Sequence, residues 1–261
     1  MIKILKTDFF RLVRTGWFYV FPVFVVILLI LECIFTISID DSENILAFGI
    51  DSFFTCLYSG LLLLFLGFML VVFYTNESRD GFLKNAAGCV PHRYYMTISN
   101  ILVGIASLFI YVIEYAVIRF ATLFIYSLLA DRPMEYIPLA AGTAGRYTLF
   151  VLLTIFVNIS MITILVLLHE LAHSKVLGMI MVFLTASFLL ERIIRLVMSL
   201  VKSTFNIVPG FEIGNYLLFS NIGDGFMSES YHPSIVLILC LIYTAGASYL
   251  AIRTCLAKDI R

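Results

Sequence analysis

The chain has 261 residues. In a count that includes Tyr and Cys, 62% are apolar and only 13% are charged, about half the ~25% of an ordinary soluble domain. Seventeen Lys and Arg balance seventeen Asp and Glu, so the formal net charge is zero, and mean hydropathy is +1.05. This excludes a soluble globular enzyme, a disordered chain and a nucleic-acid binder, which needs a basic surface; it leaves a polytopic membrane protein, because water does not solvate so much apolar surface.

Residues 1–16 begin the chain with Ile2, Leu5, Phe9 and Leu12 on one helical stripe and Lys3, Lys6, Arg11 and Arg14 mostly off it. That is the pattern of an amphipathic helix lying on a membrane surface. The apolar run 17–37 is longer than a signal-peptide core and no A-x-A-like site follows it, so it reads as an uncleaved first span. Further apolar stretches at 52–74, 98–130, 147–168, 176–201 and 235–252 predict six spans in a single all-α transmembrane domain covering 1–261. The third stretch would be ~50 Å long as a helix, against a ~30 Å hydrocarbon core, so it must tilt, project or break. Residues 192–234, with Pro209, Gly210 and Gly214, read as an outer interfacial or partly re-entrant segment.

Loop charge sets the orientation. With the amino terminus inside, the inner segments carry Lys3, Lys6, Arg11, Arg14, Arg79, Lys84, Arg93, Lys175, Arg253, Lys258 and Arg261, and the outer ones only Arg132, Arg146 and Lys202, with Arg192 and Arg195 near a boundary. The excess predicts a cell-membrane protein with both termini cytoplasmic. The five cysteines form no C-x-x-C, and no phosphate-binding G-x-x-x-x-G-K-[ST] loop occurs, so neither a cysteine zinc site nor an ATP site of that kind is expected.

Three ionisable residues fall inside apolar runs: Glu32 in the first span, Glu114 and Arg119 in the third. Each costs roughly 2.5–3.5 kcal/mol at mid-membrane unless paired or hydrated. Arg119 is expected to pair with Glu32 or with Glu114 of a neighbouring helix, either as a structural ion pair or along a pathway. Glu191 and Arg195, spaced i, i+4, extend the fifth span as a helix.

The inner segment 76–95 reads Asn-Glu-Ser-Arg-Asp-Gly-Phe-Leu-Lys-Asn-Ala-Ala-Gly-Cys-Val-Pro-His-Arg-Tyr-Tyr. A short surface helix followed by a turn is expected, because Pro91 disfavours helix at Val90. The segment resembles the cytoplasmic connection between spans two and three of ABC-2 type transporter permeases: an acid, a Gly, a Lys, then an Arg and aromatics, matched by Glu77, Gly81, Lys84, Arg93 and Tyr95. The second basic residue usual after the Arg is absent; Met96, Thr97, Ile98 and Ser99 stand there. The resemblance implies a membrane subunit of an ATP-binding cassette exporter of a peptide, lipid or drug-like substrate, without catalysis of its own. It implies a second permease copy or a related permease, and a separate cytoplasmic ATPase that binds the ATP and Mg. The coupling residues would be Glu77, Asp80, Gly81 and Lys84, with Arg93 at the lipid interface.

A rival motif is His169-Glu170-Leu171-Ala172-His173, the H-E-x-x-H pattern of a zinc metalloprotease. Intramembrane proteases add a later Asp, for which Asp224 is available. By the span count His169 and His173 sit at the inner end of span four and Asp224 outside, ~30 Å away, whereas zinc–ligand bonds are ~2 Å. A non-transporting immunity or accessory membrane protein is the third alternative.

Overall fold

The computed structural model describes residues 2–39, 46–79, 94–130, 134–139, 143–172, 174–187, 189, 192–194, 196–197, 218 and 233–257. In chain order these form α1 (Ile2–Val13), a 3-10 turn (Gly16–Tyr19), α2 (Val20–Ile39), β1 (Leu46–Gly49), α3 (Ile50–Phe54), a second 3-10 turn (Thr55–Leu57), α4 (Gly60–Arg79), α5 (Tyr94–Ala130), β2 (Met134–Ile137), α6 (Ala144–Leu171), α7 (Lys175–Ala186) and α8 (Pro233–Ala257). The fold is helical. The backbones of β1 and β2 pair in parallel, Leu46 opposite Met134, and so join the segments that follow α2 and α5.

Four helices are long and apolar enough to cross a membrane: the Gly16–Ile34 stretch, α5, α6 and α8. Residues 52–74 do not form the single straight helix expected of them. α3 with its turn and α4 meet at an angle of 44°, and together they make a fifth candidate crossing. Local side chains account for the break: Thr55 and Ser59 donate their hydroxyls to the carbonyls of Asp51 and Cys56, both at 3.1 Å, offering the backbone an alternative to the helical ladder. The long third stretch does not break. α5 runs 37 residues and begins at Tyr94. Of the span expected at 176–201, the structure shows the continuous helix α7, 12 residues long and beginning at Lys175. Glu191 and Arg195 lie outside the described residues.

α4 and α6 form the centre. Leu62, Leu66 and Met69 of α4 and Val157 and Ile162 of α6 are fully buried. Small residues let the helices approach, which is how apolar helices gain packing contact when lipid offers no hydrophobic contrast. A Cβ on Gly104 of α5 would stand 2.7 Å from Ile162 of α6. One on Gly67 of α4 would stand 2.5 Å from Val182 of α7, and one on Gly178 of α7 3.2 Å from Val71 of α4. The last two contacts run in opposite sequence directions, so α4 and α7 are antiparallel. Tyr74 bonded to Asn100, with Leu70 beside Gly104, makes α4 and α5 antiparallel in the same way.

The amino-terminal region lies along α5 in the same direction. Ser99 donates to Asp8 at 2.6 Å, Tyr111 donates to the Phe18 carbonyl at 3.0 Å, and Arg119 reaches Glu32. From Ser99 to Arg119 the helix rises ~30 Å, the thickness of a hydrocarbon core.

Candidate functional site

The polar residues gather at the two ends of the bundle. At the end where α1 lies, Leu12 is fully buried and Leu5 and Phe9 pack on the same core. The apolar stripe of α1 therefore faces the other helices, and it carries Asp8 in with it. Asp8 is 3% exposed, accepts from Ser99 and has Arg11 3.9 Å away. Burial pushes its carboxyl above the ordinary value of 3.8, against the opposing pull of the Ser99 hydroxyl and the Arg11 charge. Beside it Tyr74, near the end of α4, donates to the Asn100 carbonyl at 3.1 Å near the start of α5. The Tyr74 ring also meets the His169 ring, 4.8 Å between centroids, at the end of α6. Arg11 stands over the Phe73 ring. α1, the end of α4, the start of α5 and the end of α6 thus converge on one face.

A groove of about 580 Å³ opens at this face, with Arg11, Arg14, Trp17 and Lys175 in its wall. It brings together the first segment of the chain and the α6–α7 connection, which charge counting assigns to one side.

At the opposite end Arg119 grips Glu32 with both terminal nitrogens, one of them at 2.9 Å. Of the two partners open in the sequence, the structure selects Glu32. From Gly16 to Glu32 the chain rises ~26 Å, so in a crossing that starts at Gly16 the pair would stand near the far boundary of a ~30 Å core and not at its middle. The Glu32 side chain is half exposed. Glu114 lies on another face of α5, its Oε2 buried without a hydrogen-bond partner among the described residues.

Two polar clusters inside the bundle escaped sequence reading. Asn158 of α6 donates to the Leu57 carbonyl at 3.2 Å, satisfying backbone at the bend before α4. Ser160 contacts the Cys240 carbonyl and the Thr244 hydroxyl of α8 at 3.1 and 2.9 Å. Their only sequence signal is a polar side chain spaced one turn from Thr154 and Thr163 within an apolar run.

The expected coupling residues are only partly within reach. Glu77 belongs to the last turn of α4; Asp80, Gly81, Lys84 and Arg93 lie outside the described residues. Of the H-E-x-x-H motif, His169 and Glu170 end α6, while His173 and Asp224 lie outside the described residues. Among the described residues no three His, Cys, Asp or Glu side chains group together. Comparison of the chain with protein-family models, curated proteins and solved structures finds no match. Its long apolar helices are compatible with a multi-pass membrane protein.

Proposed function

We propose that the chain is a six-span permease subunit of an ATP-driven exporter in the cell membrane, similar to ABC-2 permeases, and moved by a separate cytoplasmic ATPase. The observation that carries the reading is the convergence at one end. The Tyr74–Asn100 bond holds the end of α4 to the start of α5, so the two helix ends that flank the expected docking segment stand at the face where α1 and the end of α6 also lie. A docking element there has direct mechanical access to four helices. The excess of basic residues in the segments assigned to that face, eleven against at most five, supports a cytoplasmic orientation.

In this reading Glu77, Asp80, Gly81 and Lys84 meet the ATPase, the charges fixing register and Gly81 permitting close backbone approach. Arg93 anchors the segment at the lipid interface. ATP binding by the partner displaces the segment, and α4 and α5 carry the motion into the bundle, which needs two discrete arrangements for coupling. α1 follows α5 through Asp8 and Ser99. The fifth crossing starts with α7 and the sixth is α8. The exposed apolar faces of α2 and α8, including Ile27, Ile30, Ile238 and Leu241, meet lipid or a second permease.

Co-purification tests the reading. Reversing the charges at Asp80 and Lys84 is expected to lower recovery of a phosphate-loop ATPase with the permease about tenfold, with membrane insertion unchanged. Recovery equal to wild type overturns the docking assignment.

A further inference from the structure

We infer that the groove between α1, α4 and α7 binds the phosphate-bearing headgroup of an anionic phospholipid at the membrane boundary. The inference rests on the membrane reading of the chain and not on the ATPase.

Three cations from two distant parts of the sequence meet here: Arg11 of α1 with Arg14 just after it, and Lys175 from the first position of α7. No acidic side chain lies in the wall among the described residues. Arg14 and Lys175 are exposed, so their charges are available to a ligand entering from outside. Arg14 is held in place by the Phe10 ring, 4.3 Å from its guanidinium, and a fixed guanidinium loses little freedom on binding a phosphate. Arg11 is shared with Asp8 and lines the inner wall. The positive end of the α7 macrodipole adds to the field. The first turn of α7 holds no acidic residue to offset it.

The remaining wall points to lipid as the source of the phosphate. Trp17 is 38% exposed and Phe10 56%, an indole and a phenyl beside three cations. Tryptophan favours the headgroup level of a bilayer, where one edge of the ring is wet and the rest apolar. Gly16 leaves open space beside it, with nothing within 4 Å of where a Cβ would stand. The groove also marks the start of the first span, where headgroups sit. Basic pockets of this kind between helices take anionic headgroups, each cation near the surface contributing about fivefold in attraction.

The chain contains one tryptophan, so its fluorescence reports on this groove alone. The protein would be reconstituted in nanodiscs of phosphatidylcholine containing a minor fraction of brominated lipid, either phosphatidylglycerol or phosphatidylcholine. Brominated phosphatidylglycerol is expected to quench Trp17 at about fivefold lower mole fraction than brominated phosphatidylcholine. In Arg14→Gln/Lys175→Gln the preference should fall to near one, with the circular-dichroism melt unchanged. An Arg14→Lys variant, which keeps the charge, should retain most of it. Equal quenching by the two lipids in the wild type overturns the proposal, as does a preference that survives the double substitution. Loss of the preference on adding inorganic phosphate assigns the groove to a free anion and overturns the lipid source. Extraction of the chain from membranes by alkaline carbonate would instead refute the membrane reading itself, separately from the groove.

Discussion

α6 and α8 are similarly apolar along their lengths, yet 61% of the most apolar stretch of α6 is buried within the molecule against 22% of that of α8. The difference lies in position: among the described residues α6 packs against α4, α5, α7 and α8, whereas α8 packs against α6 and α5. α6 places Thr154, Asn158, Ser160 and Thr163 at buried positions, where they bond to neighbouring carbonyls and hydroxyls. α8 leaves Ile235, Ile238, Leu241 and Ile242 outside. In water the apolar face of a helix points inward. In a bilayer apolar side chains can face lipid without penalty, and small or polar residues mark the packed face. The close approaches at Gly67, Gly104 and Gly178 and the buried Asn158 and Ser160 mark packed faces in this way.

The contrast breaks first at the glycines. Gly67→Val is expected to cost about 3 kcal/mol, at the upper end for overpacking, because its Cβ alone would meet Val182 at 2.5 Å. Thermal aggregation in detergent would measure it, and Val182→Ala should recover part of the stability of Gly67→Ala. A smaller loss, ~1 kcal/mol, is expected for Asn158→Leu, since hydrogen bonds between membrane helices average below that and reach about 1.7. The lost donor leaves the Leu57 carbonyl unsatisfied at the bend. Ile238→Ala and Leu241→Ala on α8 should stay within about 0.5 kcal/mol of wild type, as surface positions do. Equal losses at Asn158 and Ile238 would erase the distinction between the two helices.

The smallest effect concerns pH. Burial raises the Asp8 carboxyl above 3.8, so the folded state holds that proton more tightly than the unfolded chain. The stabilising contribution is complete below pH 3.8 and is lost as pH rises through the elevated folded value. Protease accessibility of α1 is expected to increase slightly across that window, and Asp8→Asn should remove the dependence.

Hydropathy made four candidate crossings legible at 17–37, 98–130, 147–168 and 235–252, where helices long and apolar enough to cross a membrane stand, because long apolar runs leave little choice of structure in a bilayer. It did not reveal the bend in the second, which depends on short hydroxyl-to-carbonyl bonds at Thr55 and Ser59. The pairing of β1 with β2 was invisible for a different reason: four-residue segments far apart in sequence carry no periodicity that distinguishes them from loop. Glu32 and Arg119 were visible as costly residues, but which partner Arg119 takes depends on how α2 lies along α5. Asp8 was hidden by its neighbours, since one acid in a basic amphipathic helix looks like part of the wet face.

The row of contacts between the first 32 residues and α5 constrains how the protein is made. Ser99, Tyr111 and Arg119 follow their partners by 91, 93 and 87 residues. During synthesis α2 is complete while Glu32 still awaits its counter-charge. Until α5 leaves the ribosome that carboxylate has to be met by water, which its half-exposed side chain allows. The arrival of α5 then neutralises the charge on α2, and assembly of this bundle is ordered by a charge that has to wait.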